Sequence, residues 1–492
     1  MVRTVLDDLS NSLHSFDRRL FAEQLLRNHE SAVHDRDVWK RTAQSNLALH
    51  ENKKAAVDTM VEHNARLNAC FVASRIVLEA AICECPLVGG RTPGTLDLSR
   101  ALAQAMRLYY LGGWSDAIHW GAMEPRLRIT PLGDIHANHD FIDNIYQAFG
   151  RVIGEQDVKH AVDSYAKIYE AATVLPTVAG LLENEFLDAW EAEFGASLDG
   201  MRTFLDKLED LCGKPPGVLI EVPRSLLNST LADAARIPVE KARAAVDTLT
   251  LMPRPDWRTV GEPFSNKDWF PWRFRRRLSV LRRPFIQVNE GDDPPILVTP
   301  GLVRDALFVM ARSFHEGGIP PFQARSLEMV RWIGHANRVQ RTEFNLSVAD
   351  RMRELGWEVK SEVRLTKLLG RSLDRDYGDI DVLAWKPASG QVFVMECKSL
   401  QFHKTLGEVA EQLSDFRGET GSDGKPDHLM RHLERLRVLD SHAPQISNSL
   451  RLQAPIQMTG HLVFKNPVPM QFAWDKMASK MRLSLFDELD KL

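Results

Sequence analysis

The chain has 492 residues, of which 44% are hydrophobic and 26% charged, and its formal net charge is −4. These values exclude a disordered chain and a uniformly basic coat for nucleic acid, so contact with DNA or RNA must come from a local patch. One hydrophobic core rarely grows beyond about 250 residues, so several domains are expected.

Cys70, Cys83, Cys85, Cys212 and Cys397 are an odd and sparse set for this length, which argues against a disulfide framework and for a reducing, cytoplasmic setting. Cys83 and Cys85 form C-x-C without a second pair at zinc-finger spacing, and are read as structural. The opening MVRTVLDDLSNS lacks the basic and apolar regions of a signal peptide. The most apolar stretch, ACFVASRIVLEAAICECPLVGG, is interrupted by Arg75, Glu79 and Glu84, so no membrane span is expected.

Residues 1–213 read as a helical scaffold or regulatory domain. Apolar residues recur at helical spacing from Asp37 to Cys85, and ALAQAMRLYYLGG, NIYQAFGRVIG and LLENEFLDAWEAEFG continue the period. The cluster GDIHANHDFID holds Asp134, His136, His139 and Asp140. Turn and cap chemistry accounts for these residue types more simply than a metal does.

The texture changes over residues 214–321. PRSLLNSTLADAARIPVEKARAAVDTLTLMP predicts a helix ending near Ile237 and a second beginning at Pro238. This fits a helix-turn-helix within a winged-helix module, which would set Lys241 and Arg243 against nucleic acid; a plain helical hairpin fits as well. In NKDWFPWRFRRRLSVLRRPF, Arg273, Arg275, Arg276, Arg277, Arg282 and Arg283 are interleaved with Trp269, Phe270, Trp272 and Phe274. Arginines for phosphates and aromatics for stacking suit a nucleic-acid surface, while a strand edge with its aromatics in a core is the alternative. NEGDDPPILVTPG, residues 289–301, has the turn chemistry of a loop or boundary. A helical run, GLVRDALFVMARSF, leads to a linker at 317–321.

Residues 322–492 carry the chemistry. ADRMRELGWEV predicts an amphipathic helix that stops at Gly356 before a strand. GDIDVLAWKPASGQVFVMECKSL then reads as two strands joined by a turn at Pro387 to Gly390. Side chains alternate along a strand, so Asp379 and Asp381 share one face, as do Glu396 and Lys398. The hairpin brings Asp381 roughly opposite Glu396, within about one residue of register. Carboxylates so placed can share a divalent ion, which neutralises phosphoryl oxygens and supplies hydroxide at neutral pH; the lysine adds a cation on the same face. KTLGEVAEQLSDFRG predicts a helix with a stop at Gly418, and QMTGHLVFKN a later strand. His428 and His432, one turn apart in DHLMRHLERL, read as exposed positions of an amphipathic helix.

GDIDVLAW followed by VFVMECKSL resembles the PD-(D/E)xK nuclease superfamily, whose pattern is a helix, a three-stranded meander, a helix and a further strand. The resemblance covers residues 330–470 and implies a restriction-endonuclease-like domain with a mixed central sheet. It makes Asp381 and Glu396 ligands of Mg2+, for which Mn2+ can substitute, and makes Lys398 the catalytic lysine. Asp379 becomes a supporting acid. Relatives often carry a glutamate on the first helix; here Asn345 holds that place, and the nearest acid, Glu343, is the candidate further ligand. Glu408 and Gln412 share a helix face, with Gln412 in the position of a polar helper. The fold expected for the whole is multidomain α/β. The activity implied is a DNA endonuclease serving restriction or phage defence, acting as a homo-oligomer where both strands are cut. An RNA nuclease, or an inactive module that binds nucleic acid, are the alternatives.

Overall fold

A computed structural model describes residues 1–50, 52–156, 182–213, 218–400, 405–421, 424–474 and 481–492. Contacts divide the chain into two units, one of Met1–Gly113 and Val158–Ala336, the other of Trp114–Asp157 and Asn337–Leu492.

The first unit is mainly helical. Helices α1 (Val2–Leu13), α2 (Arg18–Ala48), α3 (Lys53–Glu84) and α4 (Thr95–His119) open the chain. Helix α1 buries Val5, Leu6, Leu9 and Leu13, the three-and-four spacing of an amphipathic helix. Next come α5 (Asn184–Phe194), α6 (Leu198–Cys212), β1 (Ile220–Pro223), α7 (Arg224–Ala235) and α8 (Val239–Leu249). Strands β2 (Thr250–Leu251), β3 (Phe285–Gln287) and β4 (Pro295–Val298) precede α9 (Pro300–His315). They form a mixed sheet ordered β1-β4-β3-β2, in which only the β2–β3 pair is parallel. The tract at 289–301, expected as a loop or boundary, thus contains a central strand, because Ile296, Leu297 and Val298 are all buried. Arg236, in the left-handed conformation at φ 54°, ends α7, and Pro238 precedes α8.

In the second unit, a short antiparallel ladder pairs residues 127–129 with 135–137. Helix α10 (Leu327–Glu354) supplies residues to both units and ends before Gly356, whose φ of 79° suits a residue without a Cβ. The sequence pattern located only its last turns. Strand β5 (Glu358–Arg364), helix α11 (Leu365–Leu369) and strands β6 (Asp379–Lys386) and β7 (Gln391–Lys398) follow. Then come α12 (Leu406–Ser414), α13 (His428–Ser441), α14 (Ala443–Ser449), β8 (Gln457–Phe464) and β9 (Met481–Leu485). The sheet order is β9-β8-β7-β6-β5, an antiparallel meander of β5, β6 and β7 extended by parallel β8 and β9.

Strand β7 lies at the centre of that sheet and is covered on both faces, which explains its unbroken apolar run. Val392 and Val394 pack with Val409, Leu413, Leu429 and Leu436, from α12 and α13. Phe393, Met395 and Cys397 pack with Phe344, Val348 and Met352 of α10. The alternation carries Glu396 and Lys398 to the face on which α12 and α13 lie. Gly460 of β8 lets α13 approach closely, since a Cβ there would stand 2.3 Å from Leu436 Cδ1.

Candidate metal centre

The β6–β7 ladder runs from Lys386 opposite Gln391 to Val382 opposite Met395. The ladder ends there, and just beyond it Asp381 stands close enough to Glu396 to feel its charge. Asp381 Oδ2 accepts a hydrogen bond from the Cys397 N–H at 2.9 Å. Lys398 Nζ donates to Glu396 Oε1 at 2.7 Å.

The two carboxylates are driven apart in acidity. Burial first, and then the charge of Glu396, pushes Asp381 above the usual carboxylate range, although Lys398 and Arg341 pull the other way. Burial would raise Glu396 as well, but Lys398 and Arg435 outweigh it and hold this group at about 2. The asymmetry follows from the partners. Glu396 is met by two cations, whereas Asp381 is met by the neutral Cys397 N–H and Asn345 amide.

The second cation comes from α13, which sequence reasoning missed. Arg435 Nη1 donates to Glu396 Oε2 at 2.5 Å, and its Nε donates to the Tyr377 carbonyl at 3.1 Å. Its Nη2 lies beside Gly378, where a Cβ would come within 3.0 Å of it. His432, expected to be exposed, is 1% exposed, and burial lowers its pKa to about 4. Its Nε2 lies 3.2 Å from the Val394 carbonyl, which can only accept, so Nε2 bears the proton and Nδ1 receives Arg435 Nη1 at 3.3 Å. The signal was present: His432 and Arg435 sit at three-and-four spacing with the buried Leu429, Leu436 and Leu439. They therefore lie on the apolar face of the helix.

The remaining expected ligands lie differently. Asp379 begins β6 and is exposed. Glu343 is exposed on α10 while Asn345 is buried, because residues two apart on a helix face away from each other. The side chain that meets Asp381 is Asn345, whose Nδ2 donates to Asp381 Oδ1 at 3.4 Å. Glu408 and Gln412 are both buried on α12.

Among the described residues, no group of three or more His, Cys, Asp or Glu side chains is arranged to hold a metal ion. That includes the histidines near residue 136, of which His139 stacks edge-on against Trp114. An ion at the hairpin would draw on the two carboxylates and on an uncharged oxygen. Asn345 Oδ1 suits that part, being buried without a hydrogen-bond partner. Two carboxylates and an amide oxygen are hard donors of the kind that magnesium and manganese take.

The basic run of the first unit is largely engaged inside it. Arg276 is buried and paired through both terminal nitrogens with Glu79, so it is not available to a phosphate. Arg277 forks onto Asp268 at 2.8 and 2.7 Å. Arg282 lies over the Phe314 ring and Arg283 donates to the Thr250 carbonyl at 3.0 Å; burial lowers both to about 10. Arg273 and Arg275 are half-buried, and Trp269 and Trp272 belong to the core. Lys241 and Arg243 are exposed on α8.

Fold and site together define a mixed helix-and-sheet protein whose covered central sheet carries a carboxylate pair and a lysine on adjacent strands. The chain belongs to the Upx-like family, described as "Anti-phage protein Upx-like", which it matches over residues 1–489. No curated protein and no solved structure matches it. Among the described residues, no helix is long and apolar enough to cross a membrane.

Proposed function

We propose that the second unit is a metal-dependent nuclease of the PD-(D/E)xK kind that hydrolyses phosphodiester bonds of DNA in defence against phage. The observation that carries this reading is the convergence of Asp381, Glu396 and Lys398 at one end of the β6–β7 hairpin. Further support comes from the succession of α10, the β5-β6-β7 meander, α12 and parallel β8, which follows the order of that superfamily. Membership of an anti-phage family supports the biological setting.

A bound magnesium or manganese ion would neutralise phosphoryl oxygens and acidify a water molecule. Asp381 and Glu396 would hold it, with Asn345 Oδ1 as the uncharged ligand. The Cys397 N–H fixes the orientation of Asp381. Lys398, at Glu396 Oε1, stands where an ammonium group can orient the attacking water or grip a phosphate oxygen. In the first unit, the order α6, β1, α7, α8 and the β3–β4 hairpin supports the winged-helix reading, with Lys241 and Arg243 exposed for the nucleic-acid backbone.

The test is cleavage of plasmid DNA, and of RNA in parallel, by the purified chain with Mg2+ or Mn2+, beside Asp381→Ala, Glu396→Ala and Lys398→Ala. Divalent-dependent products from the native chain and none from the variants are expected. Cleavage unchanged in all three would end the assignment. Nucleic-acid binding without products would favour a binding module, and cleavage confined to RNA would move the substrate.

A further inference from the structure

We propose that Arg435 makes the site's hold on a divalent ion conditional on the substrate: the free chain binds the ion weakly, and ion and phosphodiester enter together. This rests on the nuclease reading above and concerns its regulation. Among the described residues, the charged groups linked directly at this corner are two carboxylates, Asp381 and Glu396, and two cations, Lys398 and Arg435, so this set is neutral when both acids are ionised. Both oxygens of Glu396 are already engaged, Oε1 by Lys398 and Oε2 by Arg435. His432 adds no charge, and Arg341, exposed on α10, acts on Asp381 with the same sign as the other cations.

A divalent ion arriving alone would bring two positive charges into this neutral, largely buried cluster and compete with Arg435 and Lys398 for Glu396. A phosphodiester changes both terms. It supplies negative charge beside the ion, and its oxygens accept the hydrogen bonds that Lys398 and Arg435 would otherwise direct at Glu396. Arg435 is held for that exchange rather than free to swing away. Its Nε is fixed on the Tyr377 carbonyl and its Nη1 on Glu396, while Nη2 lies beside Gly378 and makes none of these bonds. By linkage, whatever the phosphate adds to ion affinity, the ion adds to phosphate affinity. Arg435 is thus a positioning residue that suppresses ion uptake by the empty site.

The test compares the full chain with Arg435→Gln and Arg435→Lys. Mn2+ affinity is measured by electron paramagnetic resonance without nucleic acid, and the Mn2+ concentration for half-maximal plasmid cleavage is measured alongside. For the native chain, half-maximal cleavage should come at an Mn2+ concentration at least about tenfold below its dissociation constant without DNA. Removing the charge in Arg435→Gln should tighten Mn2+ binding to the free protein by about tenfold or more. Arg435→Lys should stay near the native value. A merely structural role predicts weaker binding in Arg435→Gln, not tighter. Should thermal melting show that variant to be unfolded, Arg435→Met, which keeps the length of the stem, takes its place. Unchanged or weaker Mn2+ binding in a folded, charge-removed variant overturns the proposal while leaving cleavage by the native chain untouched, and equal tightening in Arg435→Lys overturns it too. A native chain that neither cleaves nor binds Mn2+ defeats the nuclease reading itself.

Discussion

Replacing Glu396 by Gln keeps its shape and removes a charge on which two buried cations depend. Lys398 and Arg435 hold this carboxyl at about 2 against an ordinary 4.5, a gap worth about 3 kcal/mol of stability at neutral pH. Asp381 gains from the change, because Glu396 is one of the causes that raise it, so the net loss is smaller than that figure. In a unit of roughly 200 residues each kcal/mol of it lowers the melting temperature by roughly 2–4 °C. The dependence on pH gives a sharper check. A carboxyl whose pKa is depressed by folding contributes fully above its unfolded value and loses that contribution as pH falls through the folded one. The melting difference, followed by calorimetry in EDTA, should therefore be present at neutral pH and close as pH falls below about 4.5. A variant that melts with the native chain at pH 7, or a difference undiminished near pH 3, would refute the reasoning.

Asp381→Asn should melt at or slightly above the native temperature while abolishing cleavage. The new side-chain oxygen can still accept from the Cys397 N–H, Asn345 can turn its unpaired oxygen inward, and a disfavoured charge is gone. Because folding raises the Asp381 pKa, this gain should be absent at low pH and appear as pH rises through the folded value; a melting loss of several degrees at pH 7 contradicts it. Gly390→Ala should cost about 2–4 kcal/mol in denaturant unfolding, since φ there is 71° and a Cβ would stand 2.2 Å from the Pro455 carbonyl oxygen. Arg276→Met should destabilise by about 3–5 kcal/mol by stranding Glu79, and should leave nucleic-acid affinity of the folded protein unchanged in filter binding. The double change Lys241→Ala and Arg243→Ala should do the reverse, lowering affinity and its salt dependence with little shift in melting.

How far the site was legible depended on how local its causes were. The β6–β7 hairpin could be read because alternation, a short turn and a run of apolar residues act within about twenty positions, while a loop longer than two residues left its register open by about one residue. Asn345 was harder. Its place on the buried side of α10 follows from helical phase with Phe344, Val348 and Met352, yet an acid two residues earlier offered more obvious chemistry. His432 was read by residue type as solvent-facing and Arg435 was not singled out, although their spacing with Leu429, Leu436 and Leu439 placed both inward. The basic run was illegible in principle. What neutralises Arg276 is Glu79, 197 residues away in sequence, and no local pattern states that the two will meet.

Three features at one corner of the sheet are costly if their only role is to hold the fold. Asp381 is buried with its charge disfavoured, Asn345 Oδ1 is buried without a partner, and Glu396 engages two cations where its neighbours on the same face are Val392 and Val394. Apolar side chains of similar volume commonly serve stability as well as buried ionic groups or better. A fold-only account therefore needs a separate reason for each of the three. One divalent ion arriving with one phosphodiester would remove them together. The ion would favour the charged form of Asp381 and take the oxygen of Asn345 as a ligand, and the phosphate would accept hydrogen bonds from Lys398 and Arg435 that now go to Glu396. The same pairing also accounts for Gly378, whose missing side chain leaves space beside Arg435 Nη2, the one guanidinium nitrogen not engaged with Tyr377, His432 or Glu396.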